Sequence, residues 1–98
     1  MDINALMKQA QMMKKSLEEE SNRIKAMQYE GSASSGLVKV VMTGEYKAVS
    51  VLIDESILNK EDKEMIEELV VIAINDAAGK INKAIEEGMG SMAGMLGM

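Results

Sequence analysis

The chain predicts an α+β fold on three observations. An unbroken amphipathic helical pattern opens it, a second helical pattern fills its last third, and between them two β-branched runs flank a Gly. The first pattern covers Ile3 to about Met27, with Ile3, Leu6, Met7, Ala10, Met13, Leu17, Ile24 and Met27 at helical spacing and no Gly or Pro inside. Read as heptads, Ile3, Ala10, Leu17 and Ile24 share one seam position and Leu6, Met13 and Met27 the other, with Glu20 interrupting the seam. Such a helix is roughly 35 to 40 Å long at about 1.5 Å per residue. A compact domain of this size has a radius of gyration near ~13 Å and so a diameter of only about 30 to 35 Å. The helix is too long to hide. An apolar stripe along its whole length predicts cover from a second copy, most simply a two-fold homodimer.

Beyond the helix, Gln28 to Ser34 has weak strand character, and Ser32-Ala33-Ser34-Ser35-Gly36 reads as a turn or loop. Leu37 to Thr43 is a strand, Gly44-Glu45 fits a two-residue type II′ connection, and Tyr46 to Ile53 returns. In that register Val40 faces Val49 and Val38 faces Val51 on one buried side. The other side is mixed, carrying Lys39, Thr43 and Ser50 beside Val41 and Leu52. Ser56-Ile57-Leu58 fits one short turn. Asn59, with Asp62 three residues on, is placed to cap a second long helix that runs to about Glu87. Around Leu69 to Ile74 the apolar residues of this helix wrap well beyond one stripe, which implies burial on two sides. Residues 1–87 therefore form one domain. Residues 88–98 hold four Gly and four Met. At about 1 kcal/mol per Gly relative to Ala, that composition predicts a disordered end.

Composition narrows the function classes. The chain has no Cys, His, Trp or Phe, so the usual nucleophilic, metal and imidazole chemistries have no side chains to work with. No cofactor, metal or small-molecule substrate is expected. Adjacent carboxylates such as Glu67 and Glu68 point different ways on a helix and come with no pocket-building aromatics, so an enzyme is disfavoured. The absence of Cys and of an apolar leader predicts a cytoplasmic protein. The longest apolar run, Leu69 to Ile74, is six residues, far short of the roughly 20 that span a bilayer, so no membrane partner is expected. Net charge is −5 but uneven: residues 1–30 sum to zero, 31–53 to +1 and 54–98 to −6. Much of the acid opens the second helix, where carboxylates favour the positive end of the macrodipole.

Lys8-Gln9-Ala10-Gln11-Met12, then Gly36-Leu37-Val38-Lys39-Val40, Gly44, Val49-Ser50-Val51-Leu52-Ile53-Asp54, and later Asn75-Asp76-Ala77 with Lys80 follow one another over nearly the whole chain. In order and spacing they resemble the YbaB/EbfC family of bacterial nucleoid-associated proteins. The resemblance implies an α-β-β-β-α protomer with a three-stranded antiparallel sheet, in which Gln28 to Ser34 is the first strand, and a tweezer-like homodimer. It also implies binding to double-stranded DNA in the nucleoid, with compaction and effects on gene expression. Carried over residue by residue, the family's helix-borne determinants fall on Lys14, Lys15, Arg23 and Lys25 in the first helix and on Lys80 and Lys83 in the last.

A pI near 4.7 sets the whole chain against a polyanion, so binding requires a local basic patch. Asp76, four residues before Lys80, is placed to pair with it. Ten of the eleven bases are Lys, a point charge without the guanine-reading fork of Arg, which predicts weak sequence preference. With only Tyr29 and Tyr46 for stacking, single-stranded nucleic acid is a poor ligand. The rival reading is an acidic dimeric adaptor that binds a protein partner, with DNA binding incidental.

Overall fold

The computed structural model describes residues 2–95. Helix α1 (Ile3–Ala26) leads into strands β1 (Gln28–Ala33), β2 (Val38–Thr43) and β3 (Ala48–Ile53), and helix α2 (Lys63–Met95) closes the chain. The strands form one antiparallel sheet in the order β1-β2-β3, so the weak strand at Gln28 is a full member of the α+β fold. Asp2 starts α1, its carboxylate accepting the Asn4 N–H at 3.0 Å. The helix stops where Met27 turns extended and feeds β1 directly.

One face of the sheet carries α2. Alternation in β1 and β2 turns Gly31, Ala33, Val38, Val40 and Met42 toward it, and Leu69, Ala73, Ala77 and Ile81 of α2 meet them. A row spaced by four residues drifts about 40° per step round the helix, so the contact stripe winds as α2 crosses the twisted sheet. Val38, Val40 and Ile81 are fully buried, each contributing about 1.5 to 3 kcal/mol. Opposite β1 the residues are small, because helix and strand nearly touch: a Cβ on Gly31 would collide with the Ala73 carbonyl and with Ala77. Ile57, in a 3₁₀ turn at Glu55–Ile57, plugs the open end of this core.

Four expectations need correction. The hairpin connection is not a two-residue type II′ turn: Thr43 N–H bonds the Lys47 carbonyl at 2.8 Å, leaving a three-residue loop whose last member, Tyr46, takes the left-handed conformation at φ 63°. A bulge then leaves Val49 unpaired, so Val40 faces Val51 and Val38 faces Ile53. One extra loop residue and one bulge shift the pairing by two, an even shift that leaves Val51 on the same side of the sheet as Val40, yet Val49 and Val51 are 54% and 46% exposed and not buried as expected. Gly44 is there for clearance: it lies beneath the end of α1, donating to the Lys25 carbonyl at 3.2 Å, where a Cβ would strike the Ile24 carbonyl. Asn59 makes no cap hydrogen bond, because a 3₁₀ turn at Lys60–Asp62 intervenes before α2. Finally, α2 does not stop near Glu87. It continues through Gly88 and Gly90 to Met95, since Gly88 lets α1 approach so closely that a Cβ would lie 2.6 Å from the Glu20 carboxylate and 2.9 Å from Ile24. Helix α2 thus takes in 88–95, and 96–98 lie outside the described residues.

The molecule measures 72 × 21 × 16 Å, with a radius of gyration of 19.6 Å where a compact chain of this length has about 13 Å. Its length comes from an arm in which α1 runs antiparallel to the end of α2. Met27 and Tyr29 lie by Ala84, Glu20 by Gly88, and Leu17 by Met89. Only Ile24 of α1 is fully buried, while Ile3 is 70% and Met12 62% exposed.

Candidate nucleic-acid interface

The six candidate bases fall into two groups by what holds them. Arg23 is committed to its own helix. Its guanidinium forks onto the Glu20 carboxylate, with Nε–Oε2 at 3.1 Å, and Nη1 reaches the Met27 sulfur at 3.1 Å. Hydrogen bonds from Arg23 hold the Glu20 carboxyl below its ordinary range, and Glu20 in turn raises the pKa of Arg23. Lys80 is committed to the sheet: its Nζ donates to the Glu30 carbonyl at 2.6 Å and lies 3.8 Å from Asp76, the partner expected from sequence. Lys83 is exposed and sits 4.0 Å from Glu87, a loose surface pair.

Lys14, Lys15 and Lys25 are different. All three are exposed on α1, and none makes an ion pair among the described residues. At about 100° per residue Lys14 and Lys25 share one flank of the helix, with Lys15 about 80° further round. Lys8 lies seven residues before Lys15, within about 20° of it, and is also exposed and unpaired among the described residues. Sequence reasoning passed over Lys8, although the seven-residue interval to Lys15 was there to be read. Together the four ammonium groups span roughly 25 Å of the arm and about 120° of its circumference, with Arg23 about 60° beyond Lys8. Glu18 lies on the same flank and lines, with Lys25, Leu17, Ser21, Asn22 and Met89, a groove of about 430 Å³ between the helices.

The denser acid cluster is at the other end, while Asp2, Glu18, Glu19, Glu20, Glu86 and Glu87 lie on the arm itself. Glu61, Asp62, Glu64, Glu67 and Glu68 cluster where α2 begins, and about 1.5 Å per residue puts Glu64 roughly 40 Å from the level of Met89 and Leu17. That is several Debye lengths of about 8 to 10 Å. The net charge of −5 therefore does not describe the arm. No cluster of carboxylates suited to a metal ion occurs among the described residues, and no helix there is long and apolar enough to cross a membrane.

Residues 1–96 match the YbaB/EbfC DNA-binding family. The chain belongs to that family. Curated YbaB/EbfC relatives include a nucleoid-associated protein of Rickettsia akari, 38% identical over 97% of this chain and 86% of its own length. Another, from Rickettsia bellii, is 38% identical over 96% of this chain and 89% of its own length. Among solved structures, an uncharacterized protein from Helicobacter pylori superposes with a TM-score of 0.74 at 26% identity, covering 95% of this chain and 98% of that one. The helix, three antiparallel strands and long closing helix thus constitute the fold that the resemblance implied, and DNA binding is the property of the family to which this arm belongs.

Proposed function

We propose that this YbaB/EbfC protein binds double-stranded DNA at the nucleoid, in the cytoplasm, as a homodimer. Its α1 arms grip the phosphate backbone through Lys14, Lys15 and Lys25, with Lys8 extending the row. The observation that carries this reading is the file of unpaired lysines on a projecting arm, set roughly 40 Å from the acidic end. Lys83 and Arg23 add charge nearby, while Lys80 works inside the fold. A lysine row supplies point charges to phosphate and no fork for base edges, so sequence preference is weak. Two copies, each with an arm, bridge or bend duplex segments, and compaction with effects on gene expression follows from that. Ile3, Leu6, Met7 and Met12, apolar residues of α1 that stay exposed in the single chain, support the pairing.

A gel shift on duplex DNA across a salt series tests this. Affinity should fall log-linearly with salt, and replacing Lys14 and Lys15 by Glu should abolish retardation at moderate salt and reduce the slope by roughly 0.9 for each phosphate no longer neutralised. Unchanged retardation by a folded double variant overturns the assignment. The adaptor reading draws on the open groove of Glu64, Glu67, Glu68, Val71 and Ile72 on the back of α2, and an affinity for DNA that is flat in salt would favour it.

A further inference from the structure

The unpaired lysines of α1 do not form one line. At about 100° per residue Lys25 lies within about 20° of Lys14, whereas Lys15 and Lys8 lie about 100° and 120° round from it. Two files of ammonium groups therefore run along the arm with a strip between them. On that strip stand Gln11 and Glu18, seven residues apart, at about 60° and 40° from Lys14. Both are exposed. The strip lies about 120 to 140° round the helix from Ile24, the buried residue of α1 that meets Gly88, so it faces away from α2.

The neighbours of these two side chains are mostly basic. Of the four residues three and four positions either side of Gln11, three are Lys8, Lys14 and Lys15, and the fourth is Met7. The Gln11 amide makes no hydrogen bond among the described residues. Glu18 follows Lys14 by four residues and Lys15 by three, spacings at which helix ion pairs form, yet it enters none among the described residues. A helix lying along a single strand of phosphates needs only one file of bases. Two files flanking a polar strip suit a helix, about 10 to 12 Å across, seated in a major groove about 12 Å wide, with a phosphate wall on either side and base edges beneath.

We infer that α1 enters the major groove and that Gln11 and Glu18 read bases there. Gln11 donates to adenine N7 and accepts from its N6 amino group, and Glu18 accepts from the N4 amino group of cytosine. This rests on the duplex binding proposed above and supplies the limited base preference that lysine contacts cannot. Seven residues rise about 10.5 Å and stacked bases lie about 3.4 Å apart, so the two readings fall about three base pairs from one another. A carboxylate between two lysine files opposes phosphate binding on every sequence except one that offers it a donor, and that difference is what makes it discriminate.

Selection from a random-sequence duplex pool at fixed salt tests this. The unsubstituted chain should enrich duplexes with adenine and cytosine about three base pairs apart. Gln11→Ala should reduce the adenine preference about fivefold or more, while affinity for unselected duplex and the salt slope stay unchanged, because no phosphate contact goes with it. Putting 7-deazaadenine, which lacks the N7 acceptor, at the enriched adenine should weaken the unsubstituted chain by a similar factor and leave Gln11→Ala unaffected. Glu18→Gln should exchange cytosine for adenine at its position. Both sites are exposed and both replacements are good helix formers, so circular dichroism should show the fold intact. A pool that is bound without this enrichment, or a Glu18→Gln variant that binds every duplex more tightly with no change of base, overturns the assignment and leaves duplex binding standing. A chain that retains no duplex even at low salt overturns both.

Discussion

Gly31 and Gly79 are alike in composition and opposite in consequence. Gly31 lets α2 rest against β1, and a methyl there meets helix backbone that has nowhere to go. Gly79 sits on α2 with nothing within 4 Å of the same position. Gly31→Ala should therefore lower stability by about 3 kcal/mol or more, on the order of 10 °C or more in Tm. Gly79→Ala should raise it by about 1 kcal/mol by relieving a poor helix former. Thermal melts of the two variants check the pair. The Glu20–Arg23 fork makes a second residue-level prediction. A carboxyl held below its ordinary range in the fold contributes stability that is complete above that range and is lost as pH falls through the folded value. Urea midpoints of the unsubstituted chain and of Glu20→Gln should thus differ near neutral pH and converge in acid, below the ordinary glutamate range. A constant difference down to pH ~3 would contradict the role given to this pair.

Among the elements, β1 was the hardest to see. Gln28–Ala33 contains Glu, Gly, Ser and Ala, a poor strand by composition, and it is held by what surrounds it. On one edge β2 pairs with it, and on the other Asp76 and Lys80 of α2 take its outward N–H and C=O. Lys80→Met should cost about 1 kcal/mol in denaturant unfolding, the modest value of an exposed charged hydrogen bond, and leave DNA affinity unchanged. Lys14→Met should do the reverse. Weaker DNA binding by Lys80→Met at full stability would return Lys80 to the DNA surface. The helices were legible because their periodicity is local. Their ends were less so: α2 outlasts its expected stop because Gly88 seats α1, meeting Ile24 from 64 residues away in the sequence.

For the whole molecule, the decisive property is that the unpaired lysines of α1 and the acid cluster opening α2 lie far apart in a molecule 72 Å long. Composition alone already excluded imidazole and thiol chemistry, and the order of helix, strands and helix follows from apolar periodicity, which each segment carries within itself. That α1 exceeds any compact core also follows from counting residues, as does the grouping of acid at Asp54 to Glu68. Tertiary structure decided the rest. Lys80, Lys14 and Lys25 are the same residue type in similar helical contexts, and only the packing of α2 over β1 takes the first out of the candidate interface and leaves the others open. Likewise the hairpin register depended on a left-handed Tyr46 and a bulge at Val49, neither of which alternation encodes. The physical reason is common to both. Periodicity fixes what a segment does with its own neighbours, whereas the partner of a charge or the clearance above a glycine is set by chain brought in from far away.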